Sequence, residues 1–354
     1  MKVFITGICG FVGSVLARRI REAAPDTEVF GIDNLMRMGS ESNRRLSQLG
    51  IRVFHGDIRN TSDVEGVEAA DWTIDAAANP SVLAGIDSRS TTRQLVEHNL
   101  FGTVNLLEYC RRHSAGFILL STSRVYSIRQ LSSLPLRIEG ARFIPAFSEI
   151  NSPGISSAGI AEEFPTTSPV SLYGATKLAS EALALEYGEA FGFPVWIDRC
   201  GVLAGAGQFG TAEQGIFSYW LHAWRSKRTM RYIGFGGNGY QVRDALHPDD
   251  LAALVWRQLQ YRGLDRERIC NIAGGAENAM SLLELSHWCG DRFGKRQVVA
   301  DFQERPFDIP WVVLDSRRAA ALWNWTPARK LPSILEEIAQ HAETHPDWLK
   351  LSEG

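Results

Sequence analysis

The sequence predicts an α/β protein: a doubly wound parallel sheet followed by a smaller C-terminal α/β domain. Three observations carry this expectation. Short β-branched, apolar runs alternate with segments of helical period through about the first 200 residues. A glycine-rich turn joins the first run to the first helical segment. Beyond residue 203 the alternation weakens, and Trp220, Trp224, Trp256, Trp288, Trp311, Trp323 and Trp325 crowd the second half, where aromatics of that density fill a small core.

In chain order the strand-like runs are "KVFITG", "EVFGID", "IRVFHGD", "WTIDAAA", "GFILLSTS" and "PVWIDRC". Each is short and nearly continuous in apolar residues, as strands covered by helices on both faces must be. Helical segments fall at 11–23, near 92–113 and at 173–191, and "GIFSYWLHAWRSK" reads as an amphipathic helix. Residues 127–172, rich in Ser, Pro, Gly and Ile, show weak periodicity and are expected to be a structureless insertion. A lid, an interface element or a solvated excursion would all account for it. The boundaries that follow are 1–203 plus about 237–275 for the first domain, and about 204–236 plus 276–354 for the second.

With 45% apolar and 22% charged residues and a formal net charge of −3, the 354-residue chain has no concentrated basic face. Nucleic acid and anionic membrane surfaces are therefore not expected partners. Arg18–Arg19 and Arg44–Arg45 read as solvated helix faces. Cys9, Cys110, Cys200, Cys270 and Cys289 are odd in number and scattered, without metal-ligand spacing, so they are expected as reduced thiols in a cytoplasmic protein. The N-terminal run is broken by glycines like a first strand rather than a secretion signal, and no stretch reaches the roughly 18 apolar residues of a membrane span.

"FITGICGFVGSVLARRI" places Gly7, Gly10, Phe11, Val12 and Gly13 between a strand and a helix. Gly7 permits the tight turn, Gly10 lets backbone approach a pyrophosphate, and Gly13 lets the helix pack closely, while the helix N-terminus attracts phosphate. Asp33, about 20 residues further on at the end of the next strand, suits the adenosine ribose hydroxyls and repels a 2′-phosphate, so NAD is expected rather than NADP. Asn34 adjoins it, and Arg37 reads as a solvated loop arginine. "HGDIRN" would set Asp57 and Ile58 beside the adenine, unless Asp57 is only a turn former.

"SLYGATKLA" sets Tyr173 four residues before Lys177, on one helix face. A phenol titrates near 10, and a cation nearby would favour its phenolate and make it a base in the working range. The amine could also hold the nicotinamide ribose. "LLSTSRVYS" supplies Ser121, Thr122 and Ser123 as hydroxyls at the end of the preceding strand.

Together these motifs resemble the extended short-chain dehydrogenase/reductases that act on nucleotide sugars. The resemblance rests on TGxxGxxG at 6–13, "DNL" at 33–35, "GDIRN" at 56–60, "AAANPSV" at 76–82, "STSRVY" at 121–126, "YGATK" at 173–177 and "VRDALHPDDLA" at 242–252. It implies a Rossmann fold, NAD as cofactor, and a catalytic group of Thr122, Tyr173 and Lys177, with Ser123 as the second choice of hydroxyl and a substrate contact. It also implies that Ala76, Ala77 and Ala78 line the cofactor site and that Asn79 meets substrate. Dehydratases of the family carry an acidic pair after the threonine. Ser123 and Arg124 stand there instead, which points to epimerisation.

"GAGQFGTAEQG" at 205–215 and "GNGYQVRDALHPDD" at 237–250 resemble the CDP-paratose 2-epimerase subfamily, which implies a nucleotide diphosphate sugar inverted at C2 and substrate contacts from Gln208 and Phe209. Asn79, Val202 and Ala204–Gly205 depart from the family pattern and bear on substrate identity. Arg243 and Arg305 are expected at the diphosphate, or in structural pairs with Asp244 and Asp308. His247 reads as a loop hydrogen-bonder. His341 and His345 have metal-ligand spacing but no third ligand, so no metal is expected. A nucleotide-sugar 4-epimerase and a non-catalytic NAD-binding scaffold are the alternatives. Family members form homodimers through two sheet-domain helices, here 92–113 and 173–191.

Overall fold

A seven-stranded, all-parallel sheet organises the chain in the computed structural model, which describes residues 1–86 and 91–353. The first part contains β1 (Lys2–Thr6), α1 (Phe11–Ala23), β2 (Glu28–Asp33), β3 (Arg52–His55), α2 (Thr61–Glu65), β4 (Trp72–Asp75), α3 (Thr92–Val96), α4 (Gly102–His113) and β5 (Gly116–Thr122). Next come α5 (Ile128–Ser132), β6 (Leu136–Glu139), β7 (Arg142–Pro145), β8 (Ile155–Ser156), β9 (Gly159–Ile160), α6 (Ser171–Phe191), β10 (Val195–Cys200) and β11 (Val202–Leu203). The remainder holds α7 (Ile216–Arg225), β12 (Arg231–Ile233), β13 (Val242–Leu246), α8 (Pro248–Leu259), β14 (Ile269–Ile272), β15 (Ala279–Ser281), α9 (Leu282–Phe293), β16 (Val299–Asp301), β17 (Trp311–Val312), α10 (Arg317–Trp323), α11 (Leu331–Thr344) and α12 (Trp348–Glu353).

The sheet order is β14-β10-β5-β4-β1-β2-β3. Val3 lies opposite both Val29 and Trp72, so β1 is central and buried on both faces. One face packs Val3, Ile5, Leu16, Ile20, Leu254 and Val255 beneath α1 and α8. The other packs Phe4, Phe30, Leu106, Leu107, Phe117 and Ala184 beneath α4 and α6. This two-sided burial is why the strands read as apolar runs rather than alternating ones. Only β3, at the edge, is largely exposed.

A second core of Trp220, Leu221, Trp224, Leu285, Leu335 and Ile338 lies among α7, α9 and α11. The tryptophans do not all fill it: Trp323 and Trp325 pack into the α1/α8 face of the large sheet, and Trp311 joins a third cluster with Tyr126 and Phe164. The segment near 92–113 is not one regular helix. A capping box of Thr91 and Gln94 starts it, and a wider π turn at Glu97–Phe101 separates α3 from α4. No helix among the described residues is long and apolar enough to cross a membrane, and all five cysteines are free and buried.

Residues 127–172 are not structureless, and none of them faces the main cavity. They form α5 and two hairpins that tie the halves together: Phe143 N donates to Tyr240 O (2.9 Å), Asp315 N to Ile160 O (2.9 Å) and Ser281 Oγ to Ala141 O (2.7 Å). Such bonds leave no periodic hydrophobic pattern, so the sequence reads as loop.

Asp198, fully buried in β10, accepts from Gln258 Nε2 at 2.8 Å through one oxygen, while the other has no partner. Burial pushes its carboxyl up to about 7, and the Gln258 bond opposes only part of this. Because the folded pKa lies above the unfolded one, its contribution is fully present below the ordinary carboxylate range and is lost as pH rises towards 7. The variant Asp198→Asn, neutral at every pH, should therefore unfold at higher temperature than the parent near pH 8 and show a flatter melting profile between about pH 5 and 8, as thermal denaturation across that range would check.

Candidate active site

A cavity of about 640 Å³ opens at the carboxyl ends of the strands, where the chain crosses between β1 and β4. This is the switch point at which doubly wound sheets leave a crevice. Gly7, Gly10, Phe11, Val12, Gly13, Asp33, Asn34, Ile58 and Ala76 to Ala78 line one end. A Cβ on Gly13 would lie 2.2 Å from the Gly7 carbonyl oxygen, and Gly7, at φ +61°, has backbone of Ala76 and Ala77 about 3 Å from where its own Cβ would be. The turn is therefore compressed onto α1, and Gly10 caps that helix without a side chain in front of its free N–H groups. Asp33 accepts from Cys9 N (2.9 Å) and Leu35 N (2.8 Å), which aims the carboxylate. These residues fit a dinucleotide.

Asp57 is a correction. Its carboxylate takes Asn34 Nδ2 (2.9 Å) and Arg59 Nη2 (2.7 Å), and while Gly56 and Ile58 reach the wall, Asp57 does not. Burial alone would raise its carboxyl, but the Arg59 and Asn34 bonds hold it well below the usual carboxylate range. It orders the turn. Arg37 is a second correction: half-buried on the cavity wall, it donates to Gln214 Oε1 (3.0 Å) and to the Phe209 carbonyl.

The same cavity is lined by Thr122, Ser123, Arg124, Tyr173 and Asn79. Thr122 ends β5, accepts from Arg124 N (3.2 Å) and lies beside the Tyr173 phenol. Burial pushes that phenol up to about 12, while the Thr122 hydroxyl and the positive charge of Arg124 pull the other way. Lys177 lies one turn further along α6, only 1% exposed and behind the cavity wall. Burial lowers its pKa, and the fields of Asp75 and Glu181 act against that loss. Arg124 adds a positive charge that acts on the phenol, which the spacing of Tyr173 and Lys177 alone does not reveal.

Two buried features hold this arrangement. Glu181 on α6 pairs with Arg199 on β10 (2.7 Å) and accepts from Ser121 on β5. Asn99, inside the π turn, accepts from Asn79 N (2.8 Å) and donates to Asn79 O (3.0 Å) and Thr176 Oγ1 (3.3 Å). The sequence singles out neither Asn99 nor the turn that points it inward. π turns recur at functional sites for this reason.

The cavity is further lined by Gln208, Phe209, Gln241, Arg243, Arg305 and Asp308. Arg243 pairs with Asp308 at 3.0 Å, the structural pairing weighed above, yet both remain on the wall. Asp244 instead takes the N–H groups of Gly275 (3.1 Å) and Leu314 (3.2 Å). Arg305 donates to Ala212 O (3.1 Å), and Arg124 to Phe307 O (3.1 Å). Gln208 Nε2 is held by Leu203 O (2.7 Å), and its Oε1 and that of Gln241 are buried without partners. His247 caps α8 through Asp249 N (3.1 Å) and contacts Glu337. His341 stacks on His345 (4.2 Å) and lies 3.2 Å from His222, with no group of metal-ligating residues among the described ones.

Residues 3–273 match the NAD dependent epimerase/dehydratase family. The chain is 30% identical to the CDP-paratose 2-epimerase of Salmonella typhi, over 92% of this chain and 95% of that protein. It is 23% identical to the UDP-glucuronate 4-epimerase of Thermodesulfobacterium geofontis, over 98% and 97%. The fold superposes on the Bacillus cereus UDP-glucuronic acid 4-epimerase, solved with UDP-4-deoxy-4-fluoro-glucuronic acid and NAD, with a TM-score of 0.79 at 23% identity, covering 97% and 99% of the two chains.

Because a methyl at position 13 would meet backbone, which cannot rotate away, Gly13→Ala should lose more than about 1 kcal/mol of stability and most of its dinucleotide affinity. Thermal melts with and without added dinucleotide would show this as a lower midpoint and a lost ligand-induced rise.

Proposed function

The chain belongs to the NAD dependent epimerase/dehydratase family, and from that premise we propose that it is a nucleotide-sugar epimerase that inverts C2 of a hexose, in the manner of a CDP-paratose 2-epimerase. The observation that carries the reading is the meeting of Thr122 and Tyr173 with the glycine turn and an arginine-lined pocket in one cavity. Bound NAD supplies the reversible hydride acceptor that inversion of a carbinol carbon calls for.

The chain's own part is to place the sugar and move a proton. Tyr173 takes the proton of the reacting hydroxyl and later returns it, with Thr122 steadying the same oxygen and Arg124 offsetting the developing charge. Lys177, beneath the wall, raises the positive potential under that end and lies on the face of α6 that would meet a nicotinamide ribose. Gly7, Gly10 to Gly13, Asp33, Asn34, Ile58 and Ala76 to Ala78 would hold the dinucleotide.

Inversion also requires the flat ketone to present its other face while the remainder of the ligand stays anchored. Arg243 and Arg305 suit the diphosphate as that anchor, and Gln208, Phe209, Ser123 and Asn79 suit the base and sugar. On this reading residues 1–203 with about 237–275 hold the cofactor, and about 204–236 with 276–354 hold the nucleotide sugar. Ser123 and Arg124 provide no acid after Thr122, which favours epimerisation over dehydration. The 30% identity to the Salmonella protein favours C2 over C4.

A homodimer through α4 and α6 fits the mutual packing of these helices and the exposure of Phe101 and Phe191 at their ends. Five buried, unpaired thiols suit a reducing cytoplasm.

The deciding experiment incubates NAD-loaded protein with CDP-, GDP- and UDP-hexoses and follows configuration by NMR. Inversion at C2 is expected, and inversion at C4 alone would replace this reading with the 4-epimerase one. Tyr173→Phe should keep NAD and lose about a hundredfold to ten-thousandfold in kcat, since one positioned proton-transfer group supplies about 10²–10⁴; turnover near that of the parent would reject the phenol as base. Arg243→Ala should raise KM for the nucleotide sugar about tenfold or more with a smaller change in kcat, as initial-rate kinetics would show.

A further inference from the structure

The stretch 205–215 contributes Gln208, Phe209, Ala212, Glu213, Gln214 and Gly215 to the cavity wall. It turns back on itself, Thr211 N donating to Gln214 O (2.8 Å) and Gln214 N to Thr211 O (3.2 Å). Among the contacts that hold it, two clamps come from different parts of the molecule.

The first is α12. Trp348 Nε1 donates to Gln208 O (2.9 Å), its ring stacks on Phe209 (5.4 Å between centroids, 14° between planes), and Ser352 Oγ donates to Gly210 O (3.0 Å). Of this clamp, the Leu351 carbonyl comes near the loop after β2, 3.4 Å from where a Cβ on Gly39 would lie.

The second is Arg37. Its fork bridges Gln214 Oε1 and the Phe209 carbonyl, so one planar group fixes both arms of the turn. Arg37 itself belongs to the loop after β2, and Asn34, Met36 and Arg37 of that loop line the dinucleotide end. The loop's conformation is set from the same place: Asp33 Oδ1 accepts from Leu35 N, and Asn34 is tied to Asp57. At its far side Gly39 abuts the Phe209 ring, where a Cβ would come within 2.7 Å. Whatever orders residues 34–39 therefore bears directly on 208–214.

We propose that Arg37 is a positioning residue that couples occupation of the dinucleotide end to closure of the 205–215 turn, so that the nucleotide-sugar end of the cavity is completed only in cofactor-loaded protein. The assignment of ligands to the two ends rests on the epimerase reading. The coupling between the loop after β2 and the turn does not.

Limited proteolysis tests the coupling without any sugar nucleotide, so failure of the epimerase reading would leave the result intact. Cleavage after Phe209 by chymotrypsin and after Glu213 by a Glu-specific protease is timed with and without saturating NAD, and NAD binding is measured separately by equilibrium dialysis. NAD should slow both cleavages about tenfold in the parent protein. In Arg37→Met NAD should still bind but no longer slow them, and Arg37→Lys should recover part of the effect. Gln214→Met removes the accepting side of the same bridge and should behave like Arg37→Met, which keeps the test open if the latter folds poorly. Trp348→Phe, which keeps the ring and loses the donor, should speed cleavage equally in both states and preserve the NAD ratio. Equal protection by NAD in the parent and both bridge variants, no protection in the parent, or loss of NAD binding in Arg37→Met would each overturn the proposal.

Discussion

The buried pair of Glu181 and Arg199 is the interaction on which the rest of the site depends. Glu181 lies one turn beyond Lys177 on α6 and Arg199 lies on β10, and both are almost wholly shielded from water. Two ions in such a place are tolerated only when every donor and acceptor is used. Here Ser121 of β5 donates to the carboxylate and Arg199 also reaches the Tyr126 hydroxyl, which donates to Asn271 on β14. The network pins α6 across three adjacent strands. The position of Tyr173 against Thr122 follows from it.

That placement shapes the electrostatics. Burial holds the phenol up at about 12 even with the Thr122 hydroxyl and positive charge acting on it, so without them its ionisation would be harder still. In this protein the charge comes from Arg124, held in place by the Phe307 carbonyl from the second half of the chain. Lys177 sits lower, among Asp75, Glu181 and Cys200. The cavity accordingly has a cationic region, with Arg124, Arg243 and Arg305 near Asp308, and a region of glycines, alanines and Asp33. Such a gradient suits an elongated ligand with phosphates at one end and a neutral reacting group between.

Legibility followed the range of the interaction. The glycine turn, the carboxylate ending β2, six of the seven parallel strands and the Tyr173 helix are set by local pattern and by burial on both faces, and these could be read; β14, four residues long, was not. Residues 127–172 were expected to lack structure because their order comes from bonds to Tyr240, Ser281 and Asp315, far away in sequence. Arg37 was read as solvated because its partners, Phe209 and Gln214, lie in a different domain-sized segment. Asp57 was placed beside the adenine, yet Arg59 and Asn34 occupy it. Asn99 gave no signal at all, since a π turn has no residue signature.

By itself the sequence determined the doubly wound architecture, the dinucleotide turn and the kinds of side chain available for proton transfer, because these depend on periodicity and on residues a few positions apart. Only the tertiary structure decided which cation faces the phenol, which carboxylates are consumed by structural bonds and which loop closes the cavity. Those outcomes turn on burial and on contacts between segments more than 100 residues apart, where desolvation and hydrogen bonding, not chain proximity, select the partner.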